Sequence, residues 1–166
     1  MEKRSKIGNY SNNFPFFDAL KSFYLDNRGK IRRSYKNLTK KYLDYNDKSI
    51  NPNAFLRKPQ FEALEMYIFL KEFMDNRKVH EIFSLWKDKM DMFSDRSFYS
   101  SSEIRMNQVS MYEAEIENYD EVFQFMKDNA SEYPNYIYAL TMGVGKTILM
   151  ATCIFYEFLL ASKYPK

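Results

Sequence analysis

The chain has one cysteine, Cys153, among 166 residues, so no intramolecular disulfide can form. That usage fits a reducing, cytoplasmic compartment. Glycine and proline are scarce too, at four and five residues. Their scarcity disfavours an all-β meander, whose turns consume both, and favours a helix-rich chain. No apolar run approaches the ~20 residues that a membrane-spanning helix needs. The longest, "CIFYEFLLA", is interrupted by Glu157, so no membrane partner is expected. The opening "MEKRSKIGNYSNN" has charge but no apolar centre, unlike a signal peptide. The single histidine, His80, lies in an amphipathic stretch and is assigned no role.

Aromatic residues, by contrast, are abundant: 15 Phe and 14 Tyr, enough for a substantial core in one domain, or one domain with an appendage. Charge is divided unevenly. Residues 1–58 hold 14 Lys/Arg against 5 Asp/Glu, a balance of +9, and residues 59–166 hold 11 against 17, a balance of −6. A basic arm on an acidic body suggests a polyanion partner, or contact between arm and body.

The first stretch, "NNFPFFDALKSFYL", reads as a turn and a short aromatic helix. In "RGKIRRSYKNLTKKYLDY", Ile31, Tyr35, Leu38 and Tyr42 recur at helical steps, predicting one continuous helix. Lys30, Arg32, Arg33, Lys36, Lys40 and Lys41 crowd its other sides, as on a helix that lies on nucleic acid, or on one with a solvated face that packs by Ile and Tyr. "DKSINPNAF" reads as a linker, which divides the chain into a basic aromatic helical region (1–50) and a second unit (51–166). Pro59 suits the first turn of the next helix. Val79, Ile82, Phe83, Trp86 and Met90 form a helical stripe of core type, and Tyr119, Val122, Phe123 and Met126 form another. "NYIYALT" is apolar and β-prone, and reads as a buried strand; a last helix runs from about Lys146 to Ser162.

Between that strand and that helix lies "TMGVGKT", with two of the four glycines, Gly143 and Gly145. Glycines let successive backbone N–H groups curl around phosphate oxygens without Cβ clashes. The helix N-terminus adds unpaired N–H groups and its positive dipole end. Lys146 would meet the β- and γ-phosphates and the Thr147 hydroxyl would bind Mg²⁺, with Met142 and Val144 completing the cradle. The strict pattern wants glycine at the position of Leu140, so the match rests on the strand–turn–helix context.

A second element, "LRKPQFEAL", precedes it. In that order the two segments resemble the opening of a superfamily 2 DEAD/DEAH-box helicase, closest to the ATP-dependent subunits of type III restriction enzymes. The resemblance implies an α/β, helix-rich fold: a partial P-loop (RecA-like) motor domain with a helical insertion over 76–133 and the basic helical arm. It implies ATP and Mg²⁺ as cofactors, with Gln60 paired to the adenine edge, Arg57 against the base, and Gly143, Gly145, Lys146 and Thr147 on the phosphates and metal. It implies DNA as partner, together with the rest of the motor or a methylation subunit.

Departures from that family bound the expectation. Gln60 and Lys146 are 86 residues apart, further than family members usually show. After the loop comes no acidic Mg²⁺ motif and no second motor domain. "YDEV" at Tyr119–Val122 precedes the loop in a helical pattern and reads as surface charge. The expectation is the N-terminal portion of a helicase or translocase, able to hold ATP and inactive alone. The alternatives are a non-catalytic nucleic-acid-binding module with a relic loop and an unrelated phosphate-loop kinase or small NTPase.

Overall fold

The computed structural model describes residues 15–87, 119–141 and 143–165. They form six helices: α1 (Pro15–Ser34), α2 (Asn37–Asn46), α3 (Lys58–Ile68), α4 (Val79–Lys87), α5 (Tyr119–Asp128) and α6 (Lys146–Lys163). None of the described residues lies in a strand. The expected α/β, RecA-like fold is therefore not what this chain forms over these residues. The architecture is a helical stack with α3 at its centre.

Each helix arises from a stripe of apolar residues at helical spacing. On α1, Phe16, Leu20, Phe23, Tyr24 and Ile31 are buried. On α2 the buried residues are Thr39, Tyr42, Leu43 and Asn46, steps of three, one and three. One continuous helix through Ile31–Tyr42 was expected, but the chain breaks between α1 and α2. Lys36 is extended there, with φ −58° and ψ 151°. The break frees the Lys36 N–H, which donates to Glu72 Oε2 at 3.3 Å. It also lets Tyr35 and Tyr42 enter one core from two directions, and both are buried.

Arg57 is the N-cap residue of α3, and Pro59 lies in the first turn, where its missing N–H costs nothing. The helix buries Phe61, Ala63, Leu64 and Ile68, leaving few solvent faces. It then widens into a π-helical turn over Phe69–Phe73. Such a turn inserts a residue and rotates the side chains beyond it about the helix axis. Phe69 and Phe73 stack within it, ring centroids 5.5 Å apart. Asp75 and Asn76, both at φ 54°, end it. Ile82 and Phe83 of α4 are buried, and Phe83 meets Phe16 edge-on at 5.3 Å. Val122 of α5 is buried, with Phe123 and Met126 partly so, as their stripe predicts. Residues 88–118, within the expected insertion, lie outside the described residues, as do the side chains of Tyr119 and Trp86.

The expected strand is absent for a physical reason. In 135–141, Tyr136, Tyr138 and Leu140 are partly buried while Ile137, Ala139 and Thr141 are exposed. That is the two-residue alternation of an extended chain. A strand, however, needs a neighbour to bond its N–H and C=O groups. Helices lie beside this one, and Tyr136 OH donates to the carbonyl of Arg77.

The helix α6 docks on α2, α3 and the π-helical turn through buried and half-buried polar groups. Tyr156 OH and Thr39 Oγ1 both donate to Glu72 Oε1, at 2.8 and 2.6 Å. Tyr42 OH donates to the Thr152 carbonyl at 2.7 Å. Tyr67 OH and Lys71 Nζ both donate to Glu157. Tyr35 OH is buried too, without a hydrogen-bond partner. Two buried tyrosines therefore predict opposite outcomes. Tyr156→Phe removes a hydrogen bond to a carboxylate and is expected to destabilise by about 1.5–3 kcal/mol. Tyr35→Phe removes a stranded hydroxyl and is expected to leave stability unchanged or raise it. Urea denaturation followed by circular dichroism measures both; equal losses would contradict the assignment.

Candidate nucleotide-phosphate site

The loop before α6 is shaped by two positive-φ residues, Gly143 at 76° and Gly145 at 86°. L side chains rarely adopt that conformation, which accounts for both glycines. Gly145 is the N-cap of α6, and its carbonyl accepts from Ile148 N and Leu149 N at 3.1 and 3.3 Å. The first N–H groups of the helix have no carbonyl a turn earlier to bond. Lys146 and Thr147 are exposed in this first turn, and Val144 is half-buried. Met142 lies outside the described residues. Leu140, which stands where the phosphate-loop pattern has glycine, packs against the hydrophobic core and so anchors the loop's entry.

The two sequence segments meet in space. Arg57 Nη1 donates to the Gly143 carbonyl at 3.2 Å, and Gln60 Nε2 donates to the Gly145 carbonyl at 2.9 Å. Gln60 Oε1 accepts from the Arg57 N–H at 2.7 Å, one half of a capping box at the start of α3. A Cβ on Gly145 would lie 2.7 Å from Gln60 Nε2, so the close approach requires glycine as much as the positive φ does.

This geometry changes the role of Gln60. Its residue is only 2% exposed and both ends of its amide are engaged. The paired hydrogen bond to an adenine edge is not open to it as placed. Gln60 acts instead as a strut between the start of α3 and the turn that starts α6. Arg57 is exposed, with its guanidinium beside the loop.

The basic residues divide. Arg32 is turned inward, to Asp44 Oδ1 at 3.0 Å and Asp47 Oδ2 at 3.4 Å. Arg28 joins the same group, with Nε 2.7 Å from Glu65 Oε1, which also accepts from Tyr24 OH at 3.0 Å. Burial pushes the Asp47 carboxyl up. Hydrogen bonds from Ser49 and Arg32, with the charge of Arg28, outweigh this and hold it below its usual range. The positive charge of α1 thus partly neutralises acids of the body. Arg33, Lys36 and Lys41 remain exposed and Lys40 is half-buried. The Lys36 ammonium also lies 5.2 Å from the centroid of the Tyr164 ring.

Sequence reading missed these acids. Nothing in spacing marks Glu65 as the partner of Arg28, 37 residues away. Glu157 did carry a signal, as an acid inside an apolar helix. Burial, followed by the charge of Glu157, pushes the nearby Cys153 thiol up to about 11, which favours its protonated form. Among the described residues no group of three His, Cys, Asp or Glu side chains could hold a metal. A divalent cation here would take Thr147 Oγ1 and otherwise oxygens of a bound phosphate. No described helix is long and apolar enough to cross a membrane. No protein-family model, curated protein or solved structure matches this chain.

Gln60→Ala leaves the Arg57 N–H without its side-chain acceptor and removes one of the three donors to the Gly145 carbonyl. It is expected to cost about 1–3 kcal/mol. Urea denaturation measures the cost, and an unchanged midpoint would show the strut to be idle.

Proposed function

We propose that the chain binds ATP with Mg²⁺ at the loop before α6, as the nucleotide-holding portion of an ATP-dependent DNA helicase or translocase of the type III restriction kind. One observation carries the reading: two segments 86 residues apart in sequence converge on one loop, through Arg57 on Gly143 and Gln60 on Gly145. The loop offers two left-handed glycines, a helix N-terminus, an exposed cation and an exposed hydroxyl, the donor set that a triphosphate needs. In this reading Lys146 neutralises the β- and γ-phosphates, Thr147 helps to hold Mg²⁺, and Arg57 stacks on the base. Gln60 positions the loop and does not read adenine.

Phosphoryl transfer needs the metal held from two sides and a group that orients the attacking water. In this reading the residues at the loop hold the nucleotide, and the second side of the metal and the orientation of water fall to other residues of a motor. A second reading, a nucleic-acid-binding module with a relic loop, draws on the exposed Arg33, Lys36 and Lys41.

Titration of the purified chain with a fluorescent ATP analogue and Mg²⁺ tests the proposal. Saturable binding is expected, weakened at least tenfold by Lys146→Ala, a loss of about 1.4 kcal/mol or more. Phosphate release is expected to stay at background; turnover abolished by Lys146→Ala would refute the division of labour. No nucleotide binding, together with DNA affinity that falls steeply with salt and ignores ATP, would favour the second reading.

A further inference from the structure

The helix α6 turns Leu149, Thr152, Tyr156 and Leu160 inward. Its opposite arc carries Ile148, Met150, Ile154, Phe155 and Phe158, exposed by 47, 59, 62, 54 and 67%. At 100° per residue these side chains span an arc of roughly 160°. The arc holds no charge: the one acid between Thr147 and Ser162 is Glu157, and it is occupied by Tyr67 and Lys71. Beside the arc, between α2 and α6, runs an apolar groove of about 640 Å³. Tyr45 and Phe55 line it from one side, Ile148 and Phe155 from the other, and Lys41 is its only charged residue.

We propose that this face joins two copies of the chain in a closed two-fold dimer, with α6 packed antiparallel on α6 of the second copy. A two-fold interface must be complementary to itself, and this face carries both halves of a fit. The groove is lined along α6 from Ile148 to Leu159, and the ridge of Ile154 and Phe158 stands beside it. Antiparallel packing about the middle of α6 brings Phe158 level with Ala151, in the other copy's groove. Ala151 and Ala161 lie exposed on the same side and let the helices approach.

Charge and area choose this occupant. Lys41 is the only charge lining the face, so two copies bring little like charge together although the chain carries a net charge of +3. An aromatic side chain offers ~150–250 Å². Tyr45, Phe55 and the five residues of the arc, each exposed by about half to two thirds, present on the order of 700–800 Å². That matches the ~800 Å² per partner of a stable interface. The phosphate loop is not part of the proposal, and its outcome does not depend on nucleotide binding.

Sedimentation equilibrium of the full chain, from low to high micromolar concentration, tests it. A mass twice the 20.0 kDa of one chain is expected. Ile154→Glu and Phe158→Ser each replace an exposed side chain, so helicity by circular dichroism should persist. Each is expected to raise the dimer dissociation constant at least tenfold. Should the glutamate perturb the fold, the serine variant decides. Ile137→Glu, at a residue 94% exposed and off this face, is expected to leave the dimer intact. A wild-type chain that stays monomeric, an open-ended series of oligomers, a dimer that survives both substitutions, or one dissolved by Ile137→Glu would overturn the proposal.

Discussion

The Glu72 carboxylate, with the hydroxyls of Thr39 and Tyr156 on one of its oxygens, is the contact on which the arrangement depends. It joins three elements that are distant in sequence: α2, the π-helical turn after α3, and α6. The hydroxyls stand 3.0 Å apart, and Tyr156 is fully buried. Hydrogen bonds to a carboxylate are stronger than neutral ones, and a buried polar network is favourable only when its members are satisfied. A helix that docked through leucines alone could slide along the groove. One that must bring Tyr156 to Glu72, Thr152 to Tyr42 and Glu157 to Tyr67 and Lys71 has a single register.

That register places the start of α6, and with it the loop. The turn is held from two directions. Leu140 packs its entry into the core, and Gln60 ties its last glycine to α3. Lys146 and Thr147 are left exposed at the head of α6. Under the proposed function, these two contacts hold the loop's entry and its last glycine before a ligand arrives, which lowers the ordering that binding must supply. The interior acids contribute differently. Glu65 and Asp47 gather Arg28 and Arg32, so part of the basic excess of the first 58 residues acts inside the fold and only the remainder faces outward.

Much of the helical pattern was legible. The stripes on α4 and α5 are recorded in the order of Ile and Phe, and of Val and Phe, because a helix with one apolar face has few ways to bury it. Pro59 announced the start of α3, and the two glycines before Lys146 announced a left-handed turn. The strand was misread. "NYIYALT" has the composition and the alternation of a strand, but a strand is a relation between two segments, and the second is not beside it among the described residues. The break at Lys36 was invisible for a similar reason. Ile31, Tyr35, Leu38 and Tyr42 satisfy a single helical face, and what accompanies the interruption, the bond from the Lys36 N–H to Glu72, lies 36 residues away in sequence.

The functional segments show the same division. Sequence by itself determined that a glycine turn, a lysine and a threonine stand at the head of a helix, because that chemistry is contiguous and each residue type has a local conformational reason. It also marked "LRKPQ" as the start of another helix. Tertiary structure alone decided that these two stretches meet, and that Gln60 commits its amide to the Arg57 N–H and the Gly145 carbonyl. The physical reason is that an amide can serve equally well a ligand or a carbonyl of its own chain. Which one it serves depends on the distance between α3 and α6, and that distance is set by the packing of Tyr156, a residue in neither motif.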